Sequence, residues 1–127
     1  MYFILTYDQK TVLIVEDDSN LRTMLHHTLR KTYRVISAID AEEALDLIHA
    51  YRPDIITLDV GLPGEINGAQ LCEYLKDDRR YVNTYIILAT GNADAAIDNL
   101  REYSHANDFI LKPFSPTELL QKIQKAY

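Results

Sequence analysis

Thr11-Val12-Leu13-Ile14-Val15-Glu16-Asp17-Asp18 is the stretch that decides the fold of this 127-residue chain. Five residues of strand-forming type run straight into three acids. The arrangement recurs downstream. Ile55-Ile56-Thr57-Leu58 ends in Asp59, Tyr85-Ile86-Ile87-Leu88-Ala89 in Thr90-Gly91, and Phe109-Ile110-Leu111 in Lys112-Pro113. Tyr33-Arg34-Val35-Ile36-Ser37 is a further candidate strand. If the runs are parallel strands of one sheet, all these terminal groups meet at its carboxyl edge, where open α/β sheets bind ligands.

Segments of helical period separate the runs, so the fold class is α/β: a single doubly wound domain with helices on both faces of a parallel five-stranded sheet. After the first strand, Leu21, Met24, Leu25, Thr28 and Leu29 follow the spacing of a buried helical stripe, with Asp18 or Ser19 as N-cap. Asp40-Ala41-Glu42-Glu43 opens a second helix that turns Ala44, Leu45 and Ile48 inward and stops at Pro53. A loop over 60–67, carrying Gly61, Pro63 and Gly64, leads to a third helix from Gly68 with Leu71, Cys72 and Leu75 inside. A fourth helix is expected over about 93–103. Its small residues Ala93, Ala95 and Ala96 make it the least anchored. Ser115-Pro116-Thr117-Glu118 is a capping box with proline at the first helical position, opening a last helix that buries Leu119, Leu120 and Ile123.

The bulk numbers set limits. A chain of this length builds one core; residues 1–9 read as an N-terminal extension and 10–127 as the domain. The net charge of −6 disfavours nucleic acid as a direct partner, while leaving room for a local basic patch. A single cysteine, Cys72, forms no internal disulfide and fits a reducing cytoplasm, as a small core residue and not a reactive thiol. No apolar run approaches the ~20 residues of a membrane span, so a soluble cytoplasmic protein is expected, with no membrane partner. The apolar segment from Tyr2 to Tyr7 could be an added edge strand, a self-association contact or a frayed tail; an ordered or semi-ordered extension is the favoured reading, and the expected state is a monomer or weak dimer. His26, His27, His49 and His105 are scattered on helical segments and read as surface or boundary residues, not as a metal site.

The strand-end residues carry the chemistry. Asp18 has an ordinary role as a helix cap. Asp59 does not, because no helical pattern begins before Gly68. Magnesium takes oxygen ligands and keeps several waters, so two or three carboxylates suffice, and Glu16, Asp17 and Asp59 supply them. Without metal their like charges repel. A carboxylate is also a competent nucleophile toward phosphorus. The phosphoryl group then needs positive charge and donors on its equatorial oxygens. Lys112, the Thr90 hydroxyl and the backbone N–H groups of Val60 and Gly91 are the candidates, together with the metal.

With these motifs (VLIVEDD, ITLDVGLPG, IILATG and FILKPF) the chain resembles the receiver domain of two-component response regulators from about Lys10 to Tyr127. The resemblance implies a flavodoxin-like (βα)5 fold with strand order 2-1-3-4-5. It implies Asp59 as phosphoacceptor and Glu16, Asp17, Asp59 and the Gly61 carbonyl as ligands of Mg2+. Thr90 is then the switch hydroxyl, Lys112 the phosphate-binding lysine, Lys112–Pro113 a cis peptide and Phe109 the signalling aromatic. The implied partners are a histidine kinase or histidine phosphotransfer protein and a downstream protein target, reached through the surface of the fourth helix, fifth strand and last helix. Two departures stand out. Glu16 replaces the more familiar aspartate, and the stretch 63–68 is one residue longer than usual, with Asn67 where aspartate is common. They are expected to alter dephosphorylation or partner fit, not to abolish phosphorylation.

Two other readings use the same residues. A phosphatase of the haloacid-dehalogenase type also uses a nucleophilic aspartate with magnesium, Thr/Ser and Lys. It needs a second aspartate two residues on, where this chain has Gly61, and no cap domain is evident. A receiver-like binding module that never takes phosphate is opposed by the complete set of acids, Thr90 and Lys112. Flavin binding fails because acids occupy the loop after the first strand.

Overall fold

Runs that are apolar on both faces become central strands only if helices cover both faces, and that is how these runs fold. The computed structural model describes residues 9–91 and 104–126. Its strands are β1 (Thr11–Val15), β2 (Arg34–Ala38), β3 (Ile55–Asp59), β4 (Tyr85–Thr90) and β5 (Asp108–Leu111). They pair in parallel in the order β2-β1-β3-β4-β5. The described helices are α1 (Ser19–Leu29), α2 (Ala41–Tyr51), α3 (Gly68–Lys76) and α4 (Pro116–Gln124). The extension over 1–8 and the helix expected over 93–103 lie outside the described residues.

Side chains alternate across the sheet and so divide the core in two. Leu13, Val15, Ile56, Leu58, Ile86 and Leu88 pack with α2 and α3 through Ala44, Ile48, Leu71, Cys72 and Leu75. Val12, Ile14, Ile55, Ile87, Ala89 and Ile110 pack with α1 and α4 through Leu25, Leu29, Leu119 and Ile123. Cys72 is fully buried, as expected, and its thiol lies 3.4 Å from the Ser104 carbonyl. All four histidines are exposed.

Hydrogen bonds at the amino edge hold the register that aligns the carboxyl edge. Thr11 N–H donates to the Asp54 carboxylate (2.8 Å) while Asp54 N–H donates to the Thr11 carbonyl (2.9 Å). Asn107 does the same for β4 and β5, accepting from Ile86 N–H and donating its own N–H to the Ile86 carbonyl. The pairings Val15 with Leu58, Asp59 with Ala89 and Thr90 with Leu111 follow. Glu16 and Asp59 therefore emerge level with each other, Thr90 one residue beyond them and Lys112 two.

Three details differ from the sequence reading. β2 begins at Arg34 and not Tyr33, because the Thr32 and Tyr33 amides both donate to the Leu29 carbonyl and close the turn after α1. β2, β3 and β4 run one residue further, taking in Ala38, Asp59 and Thr90, and β5 begins one residue earlier, at Asp108. Met24, expected in the buried stripe of α1, is 52% exposed. The sheet and α4 occupy the side of α1 marked by Leu25 and Leu29, which leaves Met24 on a flank.

Candidate functional site

Asp59 ends β3 and Glu16 follows β1 directly, so both carboxylates start from rigid strands and are nearly buried, at 9% and 3% exposure. Asp17, the next residue, is exposed. One carboxylate oxygen from each of these three acids lies within 4.8 Å of the others. A set of oxygen donors at that spacing, open to water through Asp17, fits a hard divalent cation.

Lys112 holds the cluster together. Its ammonium is 2.9 Å from Glu16 Oε1 and 3.1 Å from Asp59 Oδ2. The other oxygen of each carboxylate accepts from the backbone: Glu16 Oε2 from Asp18 N–H at 3.1 Å, and Asp59 Oδ1 from Gly61 N–H at 3.1 Å. One cation shared by two anions explains the electrostatics. Burial pushes the Glu16 carboxyl up; the Lys112 bond opposes this, and the Asp59 charge adds to it. Burial would lower Lys112, but bonds to both carboxylates outweigh it and hold the ammonium above its ordinary value.

The structure brings Thr90 to the end of β4, nearly buried at 2% exposure. The Lys112–Pro113 peptide is cis, as the resemblance implied. Phe109 is buried against the α2–α3 side of the core. Asp18 caps α1, its carboxylate accepting from the Asn20 and Leu21 amides, which places it outside the cluster as expected. The Val60 amide is a correction. It donates to the Ala89 carbonyl at 2.9 Å as part of the sheet ladder, so the amide aimed at the Asp59 carboxylate is that of Gly61.

Sequence reasoning missed four supporting features. Arg22 Nη1 donates to the carbonyls of Glu16 (2.9 Å) and Asp17 (3.1 Å), bracing the loop that carries the acids. Gly68 packs so closely on β3 that a Cβ there would sit 2.1 Å from the Asp59 carbonyl oxygen. Asn67 and Gln70 form a reciprocal capping box at the start of α3, which gives Asn67 its own task beside the site. The Asn-x-x-Gln spacing before a helical run was the available signal. On the opposite edge, the buried Tyr81 bonds His49 through its hydroxyl, with the Arg52 and Arg80 guanidiniums 5.2 and 5.1 Å from its ring centre. Nothing local in the sequence marks that contact.

Beside Lys112, α1 and the segment after β5 enclose an open groove of about 530 Å3 lined by Leu21, Met24, Pro113 and Phe114. No helix among the described residues is long and apolar enough to cross a membrane.

Comparison with known proteins bears on this geometry. The model of the response regulator receiver domain matches residues 12–124. The DNA-binding response regulator MtrA of Mycolicibacterium paratuberculosis is 34% identical over 91% of the chain and 50% of its own length. The hybrid signal transduction histidine kinase D of Dictyostelium discoideum is 30% identical over 92% of the chain but only 8% of its own length. The chain spans half or less of these curated relatives. Among solved structures, the chemotaxis response regulator CheY4 of Vibrio cholerae superposes with a TM-score of 0.86 at 29% identity, covering 94% of this chain and 99% of that one.

Proposed function

The chain belongs to the family of response regulator receiver domains, and on that footing we propose that Asp59 is its phosphoacceptor and that Glu16, Asp17, Asp59 and the Gly61 carbonyl hold Mg2+. One observation carries the reading. Asp59 caps no helix, yet its two oxygens are fixed, one by Lys112 and one by the Gly61 amide, inside a cluster of oxygen donors.

The donor is a phosphohistidine of a kinase or phosphotransfer protein. An Asp59 oxygen attacks phosphorus, the new O–P bond forms as the donor's N–P bond breaks, and the bonding electrons return to the imidazole. Bound Mg2+ supplies positive charge to the acids and the phosphoryl oxygens. The chain's own residues do the rest. Lys112, already shared between Glu16 and Asp59, follows the incoming charge; the Gly61 and Gly91 amides and the Thr90 hydroxyl donate to the remaining oxygens. The groove of Leu21, Met24, Pro113 and Phe114 opens beside Lys112, which suits it to seat the donor protein. Thr90 and Phe109 report the modification to the surface of residues 93–103, β5 and α4, and a downstream protein reads the shift in population.

The phosphatase alternative is not favoured. Gly61 stands where a general acid is needed and cannot move a proton. Exposure to acetyl phosphate with MgCl2, followed by intact-mass analysis, tests the assignment. Wild type gains one phosphoryl group, Asp59→Asn gains none, and Asp17→Ala is slowed at least tenfold. Equal labelling of wild type and Asp59→Asn overturns it.

A further inference from the structure

Between Asp18 and Asp40 the chain has no acid, although it carries nineteen elsewhere and at those two positions. The same segment contains Arg22, Arg30, Lys31 and Arg34, together with His26 and His27. Folding gathers part of this charge into one place. Arg22, Thr23, His26 and His27 of α1, its C-cap Arg30 and Ser37 of β2 line an open cleft of about 380 Å3. No acid lines it. It lies on the flank of α1 opposite to Leu21 and Met24, which line the groove beside Lys112.

We propose that this α1–β2 cleft is a docking site for an acidic, extended segment of a partner protein, separate from the surface that receives the phosphodonor. Charge complementarity is the first argument: two guanidiniums, charged at every physiological pH, face a cleft with no neutralising carboxylate, on a protein whose net charge is −6. Spacing is the second. Arg22, His26 and the C-cap Arg30 follow one another at four-residue intervals along α1 and its end, forming a stripe about 12 Å long with about 6 Å between steps. Alternate side chains of an extended peptide are about 6.7 Å apart on one face, so successive acids at every second position meet successive steps of the stripe. The chemistry of the lining is the third. It has no Phe, Tyr or Trp, the large rings on which a surface for single-stranded nucleic acid stacks successive bases.

Arg22 ties the cleft to the phosphorylation site. Its Nη1 braces the Glu16 and Asp17 carbonyls, so a carboxylate drawing on the same guanidinium shifts the loop that carries two metal-binding acids. Coupling of this kind is reciprocal: whatever factor the acidic segment applies to Mg2+ affinity, Mg2+ applies to the segment.

An oligo-glutamate peptide of eight residues is the probe, titrated into the 15N-labelled full chain at 50 mM and 200 mM salt. Expected are shifts of the amides over 22–37, an affinity at least tenfold weaker at the higher salt, and at least tenfold weaker binding for Arg30→Gln and for His26→Gln/Arg30→Gln. Both variants change exposed positions, and labelling of Asp59 by acetyl phosphate stays at the wild-type rate. Absence of shifts over 22–37, or shifts that the two variants leave intact, overturns the proposal. Tighter binding of a single-stranded oligonucleotide than of the peptide at the same amides also overturns it, by replacing the occupant. Loss of acetyl phosphate labelling in wild type, with the peptide shifts retained, counts against Asp59 and leaves the cleft standing.

Discussion

Gly68 shows how one residue can decide whether the site exists. A methyl group on it would meet the Asp59 carbonyl oxygen at 2.1 Å and its carbon at 2.8 Å. Those are backbone atoms of a buried strand and cannot swing aside. Gly68→Ala is therefore expected to displace α3 or the end of β3, costing about 3 kcal/mol in urea unfolding, at the upper end for overpacked sites. Phosphorylation by acetyl phosphate should fall with it. A fully labelled variant of unchanged midpoint would contradict the contact. Cys72 makes the opposite case, a residue whose chemistry is suppressed. Burial pushes its thiol up to about 12, with the Lys76 charge pulling back only in part. A thiol raised in this way stays neutral in the native state through pH 9, so iodoacetamide at pH 8.5 should label Cys72 only at the rate of unfolding. Rapid labelling of the folded protein would place the thiol elsewhere. Both residues were legible to different depths. Cys72 between Leu71 and Leu75 already reads as core from helical spacing. Gly68 reads only as a glycine near a helix start, because the atom it must avoid is nine residues away in another element.

At the scale of elements, the boundaries the sequence concealed are those set by partners and not by composition. The runs that form the central strands β1, β3 and β4 were visible because apolar residues on both faces leave no other stable placement. The start of β2 was displaced by one residue, since the Leu29 carbonyl captures the Tyr33 amide from outside the strand. Met24 fitted the helical period, but period alone cannot tell which flank of a helix the neighbouring α4 leaves open. The start of α3 rests on the box between Asn67 and Gln70, which satisfies amides in both directions. Asn67→Ala should cost about 1 kcal/mol of stability, as loss of an N-cap does, while Asn67→Asp should stay within about 0.5 kcal/mol. Chemical denaturation of the two variants checks this. An equal loss for both would mean that the side chain acts through something other than the cap. The stretch 63–68 thus belongs to a loop pinned at its far end, by Asn67 and by the bond from Gly68 N–H to the Val60 carbonyl at 3.2 Å.

For the molecule as a whole, the cluster of Glu16, Asp17 and Asp59 is a store of repulsion that one lysine balances incompletely, and that imbalance sets how stability answers to pH and metal. The Glu16 carboxyl is held above its ordinary value by burial, against the pull of Lys112. A carboxyl raised in the native state keeps its proton longer there than in the unfolded chain. Its contribution is complete below the unfolded value of about 4.5 and is lost as pH rises through the higher native value. Without metal, wild type should therefore lose stability relative to Glu16→Gln as pH climbs from about 4.5 toward neutrality. Metal should reverse the trend, since carboxylate ligands bind once deprotonated and their repulsion then has a counter-charge. The gain from MgCl2 should grow over the same interval and reach about 2.7 kcal/mol where Mg2+ is a hundredfold above its dissociation constant. Thermal unfolding of both proteins from pH 4.5 to 8, with and without MgCl2, measures all four curves. Parallel wild-type and Glu16→Gln curves in the absence of metal would remove Glu16 as the source of the strain. A metal gain that is flat with pH would remove the carboxylates as its ligands. A gain that persists in Glu16→Gln but disappears in Asp17→Ala would assign the ion to the exposed acid and leave Glu16 the task of holding Lys112.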